Sequence, residues 1–262
     1  MTNIMVVMPT YNERENLQPM VETLLALPGT ELRVLVVDDN SPDGTGQIAD
    51  ELSGRYPDRV HVLHRTQKDG LGPAYIAGFK RALELGADYI IQMDADFSHQ
   101  PDYIPKMIAL ADRGYDVVVA SRFAPGGSVD KTWPVYRKLL SWFANRVYVR
   151  LLLNIPISDA TGGFRLWRRN TLIGIDLDRV RSNGYVFQVE IAYLTSRLGY
   201  RIAEVPIYFP DRVRGTSKMD ARIQIEAAIR VWQVMMRHRG LTPNMRRTRL
   251  YSVPDAHEQP TA

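Results

Sequence analysis

The sequence predicts an α/β fold, in which a mostly parallel sheet carries helices on both faces and amphipathic helices follow toward the C-terminus. Two observations lead to this prediction. Over the first 120 residues, apolar strand segments alternate five times with helical segments. The strand segments are also continuously apolar, which is typical of strands buried on both faces of a parallel sheet.

The composition is that of a globular chain of 262 residues, of which 45% are hydrophobic and 24% charged. The absence of Cys excludes a disulfide framework and thiolate metal sites. No apolar run reaches the roughly 18 residues that a membrane span needs, and we expect no signal peptide. A formal net charge of +4 suits an anionic partner such as nucleotide, phospholipid or nucleic acid, but selects none of them.

Turn-forming residues separate the elements of the first half. Pro28-Gly29 ends the first helix, and Pro73 stands in the first turn of the third, where its missing N–H is not needed. Asn12, with Glu15 three residues later, resembles a capping box that opens the first helix. The predicted strands are 4–8, 33–37, 60–64, 88–93 and 116–120, and the predicted helices are 12–27, 45–55, a segment from 73 onward, and 101–113.

Beyond Arg122 the regular alternation ends. We expect helices at 133–153, 185–198 and 221–238, short strands at 164–167 and 201–208, a basic loop at 211–219 and a flexible tail at 241–262. The helices at 133–153 and 221–238 are amphipathic; each either packs on the sheet or lies at a membrane interface. Residues 1–240 are predicted to form one domain, with a nucleotide-binding half at 1–122 and an acceptor-facing, lipid-facing half at 123–240.

Three polar clusters follow strands of the predicted sheet. They are residues 9–13, the pair Asp38-Asp39 and the segment Asp94-Ala95-Asp96. Ligands of such sheets bind outside the carboxyl ends of the strands, so the three clusters predict one site. Asp94 and Asp96 point the same way in an extended segment and would repel each other without a cation between them. Their hard oxygens suit Mg²⁺ or Mn²⁺.

The pattern indicates a site for a nucleotide diphosphate whose charge a metal neutralises. Neither a Gly-x-Gly-x-x-Gly fingerprint nor a P-loop is present. Arg122, Arg212 and Lys218 lie outside the regular strands and are candidates to contact phosphates. Arg137 and Ser141 lie one helical turn apart and can hold a second phosphate.

Several motifs together resemble the inverting family 2 glycosyltransferases of the GT-A fold, and among them the polyprenol-phosphate (dolichol-phosphate) mannosyltransferases. The resemblance runs from about Ile4 to His238. The motifs are Pro9-Thr10-Tyr11-Asn12-Glu13, Val37-Asp38-Asp39-Asn40-Ser41-Pro42-Asp43-Gly44-Thr45, Gly70-Leu71-Gly72-Pro73-Ala74-Tyr75, Met93-Asp94-Ala95-Asp96, Tyr185-Val186-Phe187-Gln188-Val189-Glu190, Glu204-Val205-Pro206-Ile207 and Asp211-Arg212-Val213-Arg214-Gly215-Thr216-Ser217-Lys218.

The resemblance implies a role for each candidate residue. The guanosine of GDP-mannose would be held by Pro9, Tyr11, Glu13, Val37 and Asp39. Asp94 and Asp96 would bind the metal and the diphosphate, with Ala95 lining the site. Arg122, Arg212 and Lys218 would contact the donor phosphates. Arg137 and Ser141 would contact the lipid phosphate. The catalytic residues would be Asp96, Arg122 and Arg137. Some relatives carry a metal-binding Gln at the position of Ser98; Ser is a poorer ligand, so we leave Ser98 out of the metal set.

The implied reaction moves mannose from GDP-mannose to a polyprenyl monophosphate with inversion. The resemblance implies a chain peripheral on the cytoplasmic face of a membrane, and leaves open a separate anchoring subunit. We expect no nucleic-acid partner. Three alternatives stay open: a polyprenyl-phosphate glucosyltransferase or other family 2 transferase, a receiver-type module built on Asp38-Asp39, and a regulator that binds a nucleotide sugar without turning it over.

Overall fold

The structure, a computed structural model, describes residues 2–210 and 221–249. Its strands are β1 (Ile4–Thr10), β2 (Leu32–Asp38), β3 (Val60–His64), β4 (Tyr89–Gln92), β5 (Val117–Ser121), β6 (Ser128–Val129), β7 (Arg165–Arg168), β8 (Ile202–Pro206) and β9 (Tyr208–Phe209). Its helices are α1 (Arg14–Leu25), α2 (Thr45–Arg55), α3 (Leu71–Glu84), α4 (Ile104–Asp112), α5 (Val135–Phe143), α6 (Arg150–Leu153), α7 (Arg169–Ile175), α8 (Gly184–Arg197) and α9 (Ala221–His238).

Seven strands form the main sheet in the order β3-β2-β1-β4-β7-β5-β8, and β6 pairs with β9 in a small second sheet. All main-sheet pairs are parallel except those of β7, which runs antiparallel to both β4 and β5. The mostly parallel sheet predicted from the sequence is therefore confirmed. The strand order reverses at β1 and β4, and such switch points are where open α/β sheets bind ligands.

Both faces of the sheet are buried, as the continuously apolar strands predict. Along β1, Val6 and Met8 pack on the face covered by α1, α2 and α4, whereas Met5 and Val7 pack on the face covered by α3, α7 and α8. The two sets alternate because successive side chains of a strand point to opposite faces. Burying one such side chain contributes roughly 1.5–3 kcal/mol, so packing on the sheet stabilises both layers of helices.

Gly78 sets the distance between α3 and the sheet. A Cβ at this position would lie 2.4 Å from Cγ1 of Val7 and 2.9 Å from Cγ2 of Val37, closer than packed carbon atoms approach. The absence of a side chain lets α3 pack directly on β1 and β2. This close packing also brings Tyr75, one turn earlier in α3, under the loop that follows β4.

The predicted capping box at the start of α1 is wrong. The residue before the helix is Glu13, and its side chain accepts no cap hydrogen bond; the N–H of Arg14 donates instead to Oδ2 of Asp43 at 3.2 Å. Asn12 instead takes a left-handed backbone conformation with φ of 61°, and its N–H donates to Oγ of Ser41 at 3.2 Å. The turn is therefore fixed by the loop after β2 rather than by its own helix.

The predicted helix at 133–153 forms three consecutive pieces. A π-helical turn, Ala144–Val149, separates α5 from α6. The apolar residues of α5 do not pack on the sheet: Leu139 is 62% exposed and Phe143 51% exposed. Helix α9 also leaves an apolar side chain exposed. Val231 and Val234 are buried, whereas Trp232 is 52% exposed.

Residues 241–249, which we expected to begin a flexible tail, lie against the domain. A short 3₁₀ helix, Pro243–Met245, leads to Arg246, whose guanidinium stacks over Tyr200 and donates to the carbonyls of Leu198 and Gly199. Arg247 donates to Asp176 at 2.8 Å. The folded part of the chain therefore extends at least to Arg247.

Within the described part of the chain, none of the helices combines the length and the apolar character needed to cross a membrane.

Candidate active site

Asp94 follows β4 at the switch point, and both its side chain and its backbone are held in place. The Tyr75 hydroxyl donates to Oδ1 of Asp94 at 2.8 Å, and the Asp94 N–H donates to Nδ1 of His99 at 2.9 Å. Burial, and then the charge of Asp94, raise the pKa of Tyr75 well above its ordinary value. Tyr75 therefore stays protonated and acts as a donor to the carboxylate.

Asp96 is 7% exposed and is oriented by the turn that follows it. The N–H and the hydroxyl of Ser98 donate to its Oδ1 at 3.0 and 2.6 Å. Phe97, between them, has a φ of 60°, which closes this tight turn. Ser98, which we left out of the metal set, thus orients the carboxylate of Asp96 through two hydrogen bonds.

The donor set at this position fits a hard divalent cation. Asp94 and Asp96 supply carboxylate oxygens, the ligand type that Mg²⁺ and Mn²⁺ prefer. Among the residues that the structure describes, no group of three or more His, Cys, Asp or Glu side chains gathers to hold a metal by itself. Two carboxylates leave several coordination positions to water and to the phosphates of a substrate, the usual arrangement for Mg²⁺.

Arg122 follows β5 at the same end of the sheet and is paired with a buried carboxylate. Its Nε and Nη2 both donate to Asp159, each at 2.7 Å, and Nη2 also donates to the Thr161 hydroxyl at 2.9 Å. Burial alone would lower the pKa of Arg122 and raise that of Asp159, but the two charges outweigh burial and shift both pKa values the other way. The ion pair is therefore fully charged at neutral pH.

A cavity lies between Asp94 and Arg122, so the structure brings these two predicted residues to one space. The rest of its lining comes from the loops after β4 and before β7, from β5, from the first turn of α8 and from the segment around β9. The lining residues are Asp94, Ser98, His99, Ala120, Arg122, Thr161, Gly162, Gly163, Phe164, Tyr185, Ile207 and Phe209.

Arg165 supports the loop that forms one side of this cavity. It is completely buried on β7 and donates to the carbonyls of Ala160, Gly162 and Gln188 at 2.7–3.0 Å. Burial lowers its pKa to about 10, so it remains charged at neutral pH. Sequence reasoning missed Arg165, although an Arg inside an apolar strand is an unusual feature.

The nucleoside candidates lie at and after the ends of β1 and β2, and none of them is among the residues that line this cavity. Lys68 sits 3.5 Å above the ring of Tyr11. Asp39 is 5% exposed and its Oδ1 accepts from Nη1 of Arg65 at 2.5 Å. Burial raises the pKa of Asp39, and Arg65 offsets part of that effect. Lys68 and Arg65 were not identified from the sequence.

The remaining candidates divide into described and undescribed positions. Pro9 lies in β1, Val37 is buried in β2, Glu13 precedes α1, and Ala95 is buried between the two carboxylates. Ser141 lies half-buried in α5. Arg137 is also in α5, but its side chain lies outside the described part, as do Arg212, Lys218 and the predicted basic loop at 211–219.

A cavity beside the Asp94-Ala95-Asp96 segment, in a sheet with one antiparallel strand among parallel ones, fits the fold class of the GT-A transferases. The chain belongs to glycosyl transferase family 2, whose model matches residues 5–175. It is a glycosyltransferase, and the receiver-type and regulator alternatives are therefore set aside.

Two curated relatives are similar over most of their length. The chain is 48% identical over 240 residues to an undecaprenyl-phosphate mannosyltransferase of Micrococcus luteus, covering 91% of this chain and 97% of that one. It is 46% identical over 227 residues to a polyprenol monophosphomannose synthase of Mycolicibacterium smegmatis, covering 87% of this chain and 84% of that one.

Solved structures with low sequence identity share the fold. Glucosyl-3-phosphoglycerate synthase of Mycobacterium tuberculosis, in complex with Mn²⁺, UDP and phosphoglyceric acid, superposes with a TM-score of 0.63 at 17% identity, covering 92% of this chain and 79% of that one. Mannosyl-3-phosphoglycerate synthase of Rubrobacter xylanophilus gives a TM-score of 0.62 at 18% identity, covering 90% and 73%.

Proposed function

We propose that the chain transfers mannose from GDP-mannose to a polyprenyl (dolichyl-type) monophosphate, with inversion, to give a lipid-linked β-mannosyl phosphate. The observation that carries this proposal is the similarity, at 48% identity over 91% of the chain, to a relative named undecaprenyl-phosphate mannosyltransferase. The paired carboxylates Asp94 and Asp96 beside a cavity support it, because they suit a metal-bound diphosphate.

The donor is assigned to the ends of β1, β2 and β4. Tyr11 and Asp39, with Pro9, Glu13 and Val37, would hold the guanosine. Asp94 and Asp96 would hold Mg²⁺ or Mn²⁺, which when bound neutralises charge that develops on the departing diphosphate. Arg122, Arg212 and Lys218 are proposed to contact the donor phosphates. Their guanidinium and ammonium groups would also stabilise the negative charge that develops on the diphosphate. The nucleotide-binding half would thus be residues 1–122.

The acceptor is assigned to the second half of the chain. A lipid monophosphate is largely ionised at neutral pH, because the second phosphate pKa is about 6. It needs no general base, so the chain's task is to hold two anions in line and keep water away. Arg137 and Ser141 of α5 are proposed to bind the lipid phosphate, on the side of the cavity that Arg122 lines.

Exposed apolar side chains support the proposal that the chain binds peripherally to a membrane. We propose that it binds the cytoplasmic face. Leu139, Phe143 and Leu151 are each at least half exposed, beside Lys138 and Arg150. This arrangement is typical of a helix that lies in the headgroup region. The proposal includes no nucleic-acid partner, and a separate anchoring subunit would add to this surface.

Liposome binding tests the membrane proposal. Replacing Leu139 and Trp142 with Ser removes apolar surface without changing charge and should weaken binding to anionic liposomes by roughly thirtyfold, equivalent to about 2 kcal/mol. The control Met245→Ser changes an exposed apolar residue outside α5 and α9, and should bind like wild type. Equal recovery of wild type and the double variant in the soluble fraction would contradict the proposal.

A donor panel tests the sugar. Wild-type protein is incubated with polyprenyl phosphate in liposomes and labelled GDP-mannose or UDP-glucose, and the lipid fraction is counted. We expect label in the lipid from GDP-mannose, and competition by unlabelled GDP-mannose but not by UDP-glucose. Transfer from UDP-glucose alone would replace the proposed function with that of a polyprenyl-phosphate glucosyltransferase.

A further inference from the structure

Asn145 is a buried polar residue in an otherwise amphipathic helical segment. It lies in the π-helical turn between α5 and α6 and is 2% exposed, although Leu139, Phe143 and Leu151 on the same segment are exposed. A buried amide costs stability unless its hydrogen bonds are made. Short π-helical turns inside helices also occur frequently at functional sites.

The Asn145 side chain joins α5 to the loop that precedes β7. Its Nδ2 donates to the Ser141 carbonyl and to the Thr161 hydroxyl, each at 3.0 Å. Its Oδ1 accepts from the Thr161 N–H, also at 3.0 Å. The amide thus uses both of its donors and its acceptor. One of its partners, Ser141, is a proposed ligand of the lipid phosphate.

Thr161 carries this connection to the cavity. Its hydroxyl accepts from Nη2 of Arg122 at 2.9 Å as well as from Asn145, and lies 3.5 Å from Oδ1 of Asp159. Both Thr161 and Arg122 line the cavity that Asp94 also lines. Two side chains, Asn145 and Thr161, therefore connect the backbone of α5 to the Arg122 guanidinium at the cavity wall.

We propose that Asn145 is a positioning residue: it fixes α5 relative to the Thr161–Arg122 pair and so sets where the acceptor phosphate meets the cavity. The inference rests on the proposed function, because it concerns the acceptor of that reaction. Asn145 itself does not line the cavity, and its side-chain hydrogen bonds go to Ser141 and Thr161 rather than to Asp94 or Asp96. Arg122, a proposed ligand of the donor phosphates, keeps both of its hydrogen bonds to Asp159 when Asn145 is lost. The loss of Asn145 should therefore affect the acceptor and leave the donor unaffected.

The test separates acceptor from donor kinetics in Asn145→Ala. The KM for polyprenyl phosphate should rise about tenfold, equivalent to about 1.4 kcal/mol and within the range for losing buried hydrogen bonds. The dissociation constant for GDP and the KM for GDP-mannose should stay within about twofold of wild type. Asn170→Ala, an exposed Asn in α7, is the matched control and should change neither.

Thr161→Val breaks the hydrogen bond between Asn145 and Thr161 from the Thr161 side. It remains informative if Asn145→Ala folds poorly. It removes the hydroxyl and keeps the branched shape, and should also raise the acceptor KM. Since both variants break one connection, the double variant should lose clearly less acceptor kcat/KM than the product of the two single losses. Multiplicative losses, or equal effects on acceptor and donor KM, would overturn the proposal.

Mannose transfer by the wild-type protein shows whether a negative result concerns the positioning role of Asn145 or the proposed function itself. If wild type transfers mannose but Asn145→Ala keeps a normal acceptor KM, only the positioning role fails. If wild type moves no mannose to polyprenyl phosphate, the proposed function fails and the role of Asn145 fails with it.

Discussion

Replacing Glu190 with Gln should lower the free energy of unfolding by roughly 3 kcal/mol at neutral pH. Glu190 lies in α8 with no exposed side-chain surface and connects α8 to the end of α9. Oε1 accepts from Arg237 and His238, each at 2.8 Å, and Oε2 accepts from the N–H groups of Arg181 and Ser182 at 3.0 and 2.6 Å. An amide at this position would keep one acceptor and turn its NH₂ toward two of these donors.

The magnitude follows from the pKa of Glu190, which is lowered from 4.5 to about 2. Burial alone would raise it, but the hydrogen bonds from His238 and Ser182 outweigh burial. At about 1.36 kcal/mol per pH unit, this difference corresponds to roughly 3 kcal/mol. Since the folded pKa is the lower one, the contribution is present above about pH 4.5 and is lost as pH falls toward 2.

The assay is urea unfolding of wild type and Glu190→Gln between pH 7 and pH 3. At pH 7 the two should differ by roughly 3 kcal/mol, or about 10 °C in Tm for a domain of this size. The gap should narrow by about 1 kcal/mol at pH 4 and about 2 kcal/mol at pH 3. Glu51→Gln, an exposed residue of α2, is the control and should stay within about 0.5 kcal/mol of wild type.

Two results would refute this reasoning. A gap below about 1 kcal/mol at pH 7 would mean that the carboxylate is not held by its four donors. A large gap that stays constant down to pH 3 would mean that Glu190 acts through its shape, since ionisation of its carboxyl group would then make no contribution to the difference in stability.

Three further predictions concern the sheet and the cavity. Tyr75→Phe should weaken Mn²⁺-dependent GDP binding by about tenfold in calorimetry, because the proposed metal ligand Asp94 loses an orienting partner; unchanged affinity would contradict a role in holding Asp94. Asp159→Asn should cost about 3 kcal/mol in urea unfolding, because the buried guanidinium of Arg122 loses its counter-charge; a cost below about 1 kcal/mol would speak against the ion pair. Gly78→Ala should cost about 1–3 kcal/mol in the same assay, because α3 must move away from β1 and β2; a neutral or stabilising effect would refute the close packing.

Local sequence signals predicted the parts of the fold that local chemistry decides. The alternation of apolar strands and helices placed β1 to β5 and showed that both faces of the sheet are buried. The Asp94–Asp96 pair could be found because two carboxylates directly after an apolar strand are a local pattern. The position of Arg122 after β5 followed from the same logic.

The parts that were missed depend on contacts between distant residues. Strand β7 inserts antiparallel between β4 and β5, pairing Trp167 with Ile90 and Val117, and no local pattern specifies such a partner. The same holds for Asp159, the partner of Arg122, and for Asn145. The capping box failed because Asn12 is held by Ser41, a contact across 29 residues that outweighs the local preference.

The central claim is that Asp96 takes part in metal-dependent mannose transfer to a lipid phosphate. The most direct test compares wild type, Asp96→Asn and the matched control Asp102→Asn, an exposed residue shortly after it, with labelled GDP-mannose and polyprenyl phosphate, with and without EDTA. We predict EDTA-sensitive lipid-linked mannose in wild type and the control, and a loss of about 100-fold or more in Asp96→Asn. Label that stays on the nucleotide with wild type, or transfer by Asp96→Asn at the wild-type rate, would contradict the claim.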